Sequence, residues 1–329
     1  MGFEMNKFNK IPIPICGVFL ALVSLGNLLG ETNITVKYLL GTTGVILVLS
    51  LFIQTLNDME DFKNDLDSPI LLGTFGTLSM GLMAFSTYFL NYNKNMALII
   101  WLIGLIIHIL IIIIFTKRYI IHGKLEDLTT SSFIVYIGIG IAAMTGFKFD
   151  QFNFINYGTF IFGLLSFIIL FFIVSYRYIK LPIPDSTKPL LCIYTAPASI
   201  ILVEYFRLNI PKSVNLIIFA YIIACILYLF AFINLIRCLK LPFYPSYAGF
   251  TFPFVISATA TTLVNQYFIN LGTKIYMLDI LDNIEITIAI CIVLYVLVRY
   301  LLYIFNIKIE IKKKNKKKII KCLLLININ

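Results

Sequence analysis

The chain has 329 residues, 60% hydrophobic and 13% charged. An ordinary soluble domain carries about 45–50% apolar and about 25% charged residues, so composition alone excludes a water-soluble enzyme. The formal net charge is +10, but seven of the 26 basic residues lie between Lys312 and Lys321. So local a surplus suits the anionic face of a lipid bilayer rather than a nucleic-acid groove. The six cysteines form no CxxC, and none has a His or Cys at metal-ligand spacing. Neither disulfides, nor a metal centre, nor a cofactor is expected.

The hydrocarbon core of a bilayer is about 30 Å thick and needs about 20 apolar residues of helix to cross it. In chain order such stretches run over 12–30, 35–56, 69–90, 96–117, 131–148, 154–176, 189–206, 213–237, 249–270 and 284–306. The first has no small-residue cleavage site after it and reads as a retained span. The second keeps Gly41, Thr42, Thr43 and Gly44, whereas the fourth is almost wholly aliphatic around a lone His108. That histidine reads as packed and neutral rather than as a proton relay. Glu204, Lys148 and Glu285 are expected near one face of the bilayer and Arg299 near the other. The fold expected is an all-α integral membrane protein of ten transmembrane helices. Its parts are an N-terminal segment 1–10, a membrane domain 11–306 and a basic tail 307–329.

Lys and Arg set the orientation. Twenty of them, from Lys7 and Lys10 to the seven tail lysines, fall on the side of the termini, and six fall on the other side. Both termini are therefore expected in the cytoplasm, in a multi-pass protein of the plasma membrane. The run IKKKNKKK at 311–318 can also hold the tail to acidic lipid at about 1 kcal/mol per basic residue.

The odd-numbered spans begin near Pro12, Pro69, Ser131, Pro189 and Tyr247, in steps of 57, 62, 58 and 58 residues. A period this regular marks a repeated unit of one outgoing and one returning helix. Small residues and prolines number about 40 in the odd spans and about 21 in the even ones. Lipid favours large aliphatic side chains, and small ones permit close packing or line a cavity, so the odd spans are expected inside. Five helix N-termini then meet at the cytoplasmic mouth, each with a partial positive charge of about half an elementary unit. That field favours anions.

Four segments carry a family resemblance: DLDSPILLGTFGTLSMGLMAFSTYF (65–89), SSFIVYIGIGIAAMTG (131–146), IYTAPASIILVEYF (193–206) and FYPSYAGFTFPFVISATATT (243–262). With the ten-span layout they resemble the tellurite-resistance/dicarboxylate transporter (TDT) family, which includes the plant guard-cell slow anion channels. The resemblance implies five helical hairpins in quasi-fivefold arrangement around a central pore, usually in a homotrimer with one pore per subunit. It also implies a phenylalanine plugging that pore, which maps onto Phe252. Pro253 beside it removes a backbone donor and is expected to kink the helix, directing the ring to the axis. Thr251-Phe252-Pro253 aligns with Thr195-Ala196-Pro197 one repeat earlier, so Ala196 falls opposite Phe252. Gly17, Gly76, Gly138 and Gly140 are expected at similar depth, giving one bulky ring within a girdle of small residues.

The function expected is an anion channel or channel-like transporter, with no enzymatic activity. Its partners are small inorganic or organic anions and the lipid bilayer, with no nucleic acid. The alternative is a coupled carrier for C4-dicarboxylates or an oxyanion such as tellurite or sulfite. A tight dicarboxylate site wants a mid-depth Arg or Lys, and the odd spans offer none, leaving hydroxyl donors such as Thr195, Thr251 and Ser257. A remoter alternative is an intramembrane prenyltransferase, because Asn57–Asp65 resembles the NDxxDxxxD signature that holds a diphosphate through magnesium. That chemistry needs a second acidic cluster, and the corresponding stretch LPIPDSTKP (181–189) has a single Asp.

Overall fold

The computed structural model describes residues 9–307, and every regular element among them is helical. α1 (Ile15–Leu29) and α2 (Ile34–Asn57) form the first pair. Asn33 caps α2 by accepting from the amides of Thr35 and Val36, which satisfies donors that a helix start leaves unpaired. A linker helix, α3 (Met59–Asp65), leads to the second pair, α4 (Pro69–Ser86) and α5 (Lys94–Phe115). Ser68 caps α4, and Pro69 occupies its first turn, where a missing N–H costs nothing. α6 (Ser131–Ile137) passes through a 3-10 turn at Gly138–Gly140 into α7 (Ile141–Gly146), and α8 (Asn153–Lys180) returns. In the fourth pair a 3-10 segment, Lys188–Tyr194, runs into α9 (Thr195–Arg207), followed by α10 (Val214–Cys238). In the fifth, Pro245–Phe250 precedes α11 (Phe252–Asn270), followed by α12 (Tyr276–Ile304).

Eight of these helical stretches are long and apolar enough to cross a bilayer, and Ile15–Leu29 and Ser131–Gly146 are shorter apolar helices. The difference from ten full spans has local causes. The first stretch becomes helical only after Pro12 and Pro14, and the third is interrupted at its glycines. The described residues thus form an all-helical, multi-pass membrane protein.

Burial separates the two members of each pair. In the stretches Pro69–Ser86, Lys188–Arg207 and Pro245–Asn270, 67–83% of the apolar window is buried, against 22–33% in α2, α5, α8, α10 and α12. α1, α6 and α7 are buried along most of their length. The leading segments also pack on one another in order: α1 on α4, α4 on α6 and α7, these on α9, α9 on α11, and α11 on α1. Large aliphatics such as Ile99, Ile103, Ile106 and Ile113 on α5 are exposed, as a lipid-facing surface requires.

Glycines fasten the first two pairs. A Cβ on Gly44 would fall 2.9 Å from the Phe19 ring, and one on Gly81 would fall 2.5 Å from its Cδ1. Gly41 lies against the Tyr88 ring, whose hydroxyl donates to the Val23 carbonyl at 3.0 Å. The small residues of the second span therefore serve close packing. His108 is fully buried, with Nδ1 2.7 Å from Ser79 Oγ and Nε2 3.0 Å from the Val135 carbonyl. Glu204 and Glu285, expected near a membrane face, are both buried. In the acidic linker Lys10 pairs with Asp61 and, at 2.6 Å, with Asp65, so part of the resembling signature is already neutralised by a lysine. The seven tail lysines and Cys322 lie outside the described residues, as do residues 1–8.

Candidate functional site

A cavity of about 40 Å³ lies where the five leading segments meet. α1 contributes Gly17, α4 contributes Thr74, Thr77 and Met80, and α6 contributes Phe133 and Ile134. The fourth pair adds Leu190, Ile193, Ala196, Pro197 and Ile200, and the fifth adds Ala248, Gly249, Phe252 and Pro253. None of these lining residues is charged. A water needs roughly 10–15 Å³ of such space, so the cavity has room for a few waters and not for a hydrated anion.

The two hydroxyls at its wall are spent on the backbone. Thr74 Oγ1 donates to the Ile70 carbonyl at 2.6 Å, and Thr77 Oγ1 donates to the Thr74 carbonyl at 2.7 Å. What they turn outward is lone-pair density, which does not attract an anion. Among the described residues, an anion here meets neither a cation nor a free hydroxyl donor. The arrangement suits weak, transient contact rather than tight binding.

The wall at Phe252 follows from local sequence. The 3-10 segment Pro245–Phe250 cannot propagate as an α-helix through Thr251, whose φ and ψ are −85° and −82°, and α11 starts afresh at Phe252. Pro253 then occupies the first turn, where no N–H is required. The expected mid-helix kink is instead a junction between two helix types, and Pro197 occupies the first turn of α9 in the same way. Phe252 is 5% exposed and borders the cavity.

Of the residues expected here, Gly17, Ala196, Pro197, Phe252 and Pro253 border the cavity together. Thr195 and Thr251 do not. Thr195 Oγ1 lies 2.8 Å from Ser257 Oγ, which lies 3.1 Å from Ser199 Oγ, so these hydroxyls join α9 to α11. Thr251 Oγ1 serves the backbone carbonyls of Ala248 and Gly17. Gly76 faces Ile134 and His108, Gly138 backs the thioether of Met80, and Gly140 faces Glu204. Met80, Phe133, Ile134, Ile193 and Ile200 also line the cavity but were not singled out by sequence. The stripe Ile193, Ala196, Pro197, Ile200 has helical spacing, which is the signal that could have found its two isoleucines.

A second, smaller cavity of about 10 Å³ lies between α9, α10, α11 and α12. Ser199, Ser257, Tyr228 and Glu285 lie on its wall. Thr261 donates to Glu285 Oε2 at 2.9 Å, and among the described residues the buried Tyr228 hydroxyl has no hydrogen-bond partner. The space fits one water, which would satisfy that hydroxyl.

Residues 11–301 match the voltage-dependent anion channel family, and the chain belongs to that family. No curated protein matches the chain.

Proposed function

We propose that this family member is a passive anion channel whose conduit is the cavity between the five leading segments, stoppered by the ring of Phe252. The observation that carries the reading is that all five segments contribute to the wall of one uncharged cavity, with Phe252 on it. In this reading the five pairs stand in quasi-fivefold arrangement as ten membrane passages, with residues 11–306 as the pore domain. Gly17, Ala196, Pro197 and Pro253 shape the conduit around the aromatic stopper. Gly76, Gly138 and Gly140 act one layer behind it, and Thr195 and Thr251 hold neighbouring helices in place. Both termini are cytoplasmic in a plasma-membrane protein, and the basic tail rests on the anionic leaflet. By the family resemblance the assembly is a homotrimer with a conduit in each subunit.

Selectivity follows from what the wall lacks. With no donor to replace lost hydration, the ion that sheds water most readily passes best, so nitrate is favoured over chloride. The partial positive charges of the helix starts exclude cations without trapping the anion. Coupled transport of a C4-dicarboxylate, tellurite or sulfite fits less well. The hydroxyls that could bind it, Thr195, Thr251 and Ser257, are engaged with one another or with the backbone. Purified protein in liposomes tests the choice. Passive current reversing at the Nernst potential of the anion supports the channel, and uptake that requires a proton gradient supports the carrier.

A further inference from the structure

Glu204 is fully buried, and among the described residues neither carboxyl oxygen has a hydrogen-bond partner. It lies on α9 four residues beyond Ile200, continuing the Ile193, Ala196, Pro197, Ile200 stripe that borders the central cavity. Two glycines make room for it. A Cβ on Gly140 would overlap Oε1, and one on Gly163 would fall 3.9 Å from it. The niche therefore contains a carboxyl group one helical turn from the conduit, with no donor and no cation to hold it.

An ionised carboxylate in such a place costs far more than the same group carrying a proton. Among the described residues, the surroundings supply no compensating charge. The 3-10 turn Gly138–Gly140 and α7 contain no titratable residue, and α8 turns Gly163 to the site. Tyr157 at the start of α8 donates to the Asn209 carbonyl, and its Tyr176, Arg177, Tyr178 and Lys180 belong to the opposite end of that helix. On α10, Tyr221, Cys225 and Tyr228 turn to the Glu285 cavity. Tyr267 of α11 packs on Phe206, and Tyr136 of α6 bonds to Thr116. In the segment before α9, Tyr194 bonds to Ser175, Lys188 pairs with Asp185, and Cys192 donates to the Ala231 carbonyl. On α9 itself, Tyr205 bonds with the Pro211–Ser213 loop, and Arg207 lies over the Phe147 ring.

We propose that Glu204 is a proton-binding site of the conduit, reached by water in the open conduit, occupied by a proton in acid and emptied as pH rises. As pH rises, the carboxyl O–H bond breaks and the proton passes to conduit water, leaving a carboxylate beside the path. Its negative charge then opposes anions, so conduction is greatest in acid and falls as pH rises. This rests on the channel reading above and adds a ligand, the proton, to it.

The test is nitrate flux through full-length protein in liposomes between about pH 5 and about pH 8. Wild type, Glu204→Gln and Gly140→Ala are compared, each also with Phe252→Ala. Wild-type flux should fall about tenfold over that range, as titration of one site allows. Glu204→Gln should vary less than about twofold and exceed wild type at the alkaline end. Gly140→Ala, which pushes the carboxyl from its niche, should move the midpoint toward acid. A Glu204→Gln profile that follows wild type overturns the proposal. Absence of flux in every variant at every pH instead overturns the channel reading. Infrared spectroscopy then judges Glu204 alone: at neutral pH the wild type should show a protonated-carboxyl band that Glu204→Gln lacks. No such difference overturns the site.

Discussion

The hydroxyl of Thr251 reaches the carbonyl of Gly17 at 3.3 Å while also donating to the Ala248 carbonyl at 2.7 Å. The two residues are 234 positions apart, and this bond joins the last leading segment to the first behind the cavity wall. Thr251→Val removes the donor and keeps the shape, and should cost about 1 kcal/mol, the ordinary net worth of a hydrogen bond. Thr251→Ser should cost less. Apparent melting temperatures of the detergent-solubilised protein compare them. Equal melting for Val and wild type would show that the junction does not depend on this hydroxyl.

Gly81 and Phe19 share one space. Gly81→Ala forces the buried ring to move and should destabilise by about 1–3 kcal/mol, as overpacking does. Adding Phe19→Leu should recover part of the loss, because the smaller side chain frees that volume. A double mutant no more stable than Gly81→Ala would contradict the contact as the cause.

His108 bridges α4 and α6 through Ser79 and Val135. His108→Leu strands a buried carbonyl and should cost about 1–3 kcal/mol. His108→Gln can keep one of the two bonds and should lose less. Neither should alter the pH dependence of anion flux, since the ring is a structural bridge set back from the conduit. A pH profile lost in His108→Gln would make it a proton relay after all.

Lys10, outside the spans, is pulled down by partial burial but raised further by hydrogen bonds and charge from Asp61 and Asp65, which hold its ammonium above the ordinary lysine range. The sign follows from linkage: the contribution is complete at neutral pH and lost only as pH rises through the raised value. Both partners are substantially exposed, so Lys10→Met should cost less than about 1 kcal/mol, and less still at high salt. Melting curves at two salt concentrations check this.

Much of this architecture is visible in the sequence because it depends on local composition. The repeat near sixty residues and the crowding of small residues into leading segments identify which helix of each pair is buried. Thr195 and Thr251 illustrate what is not legible. Their alignment with Phe252 suggested a shared wall, yet the Thr195 hydroxyl turns to Ser257, 62 residues on, and that of Thr251 turns to the carbonyls of nearby Ala248 and distant Gly17. Gly140 is similar: it looks like open pore surface, but Glu204, more than sixty residues on, fills the space it leaves. Pairings of this kind appear only once the helices are packed. At Pro253 a kink is expected from sequence, but the form of the junctions there and at Pro197 depends on the 3-10 segments before them, which composition does not reveal.

In the proposed channel one ring stops the conduit, and single-channel or liposome current through Phe252→Ala reports on that ring. The variant should conduct nitrate and chloride at least about tenfold better than wild type, nitrate more than chloride, which corresponds to removing a barrier of about 1.4 kcal/mol or more. Wild-type current levels from a folded Phe252→Ala protein would contradict the account.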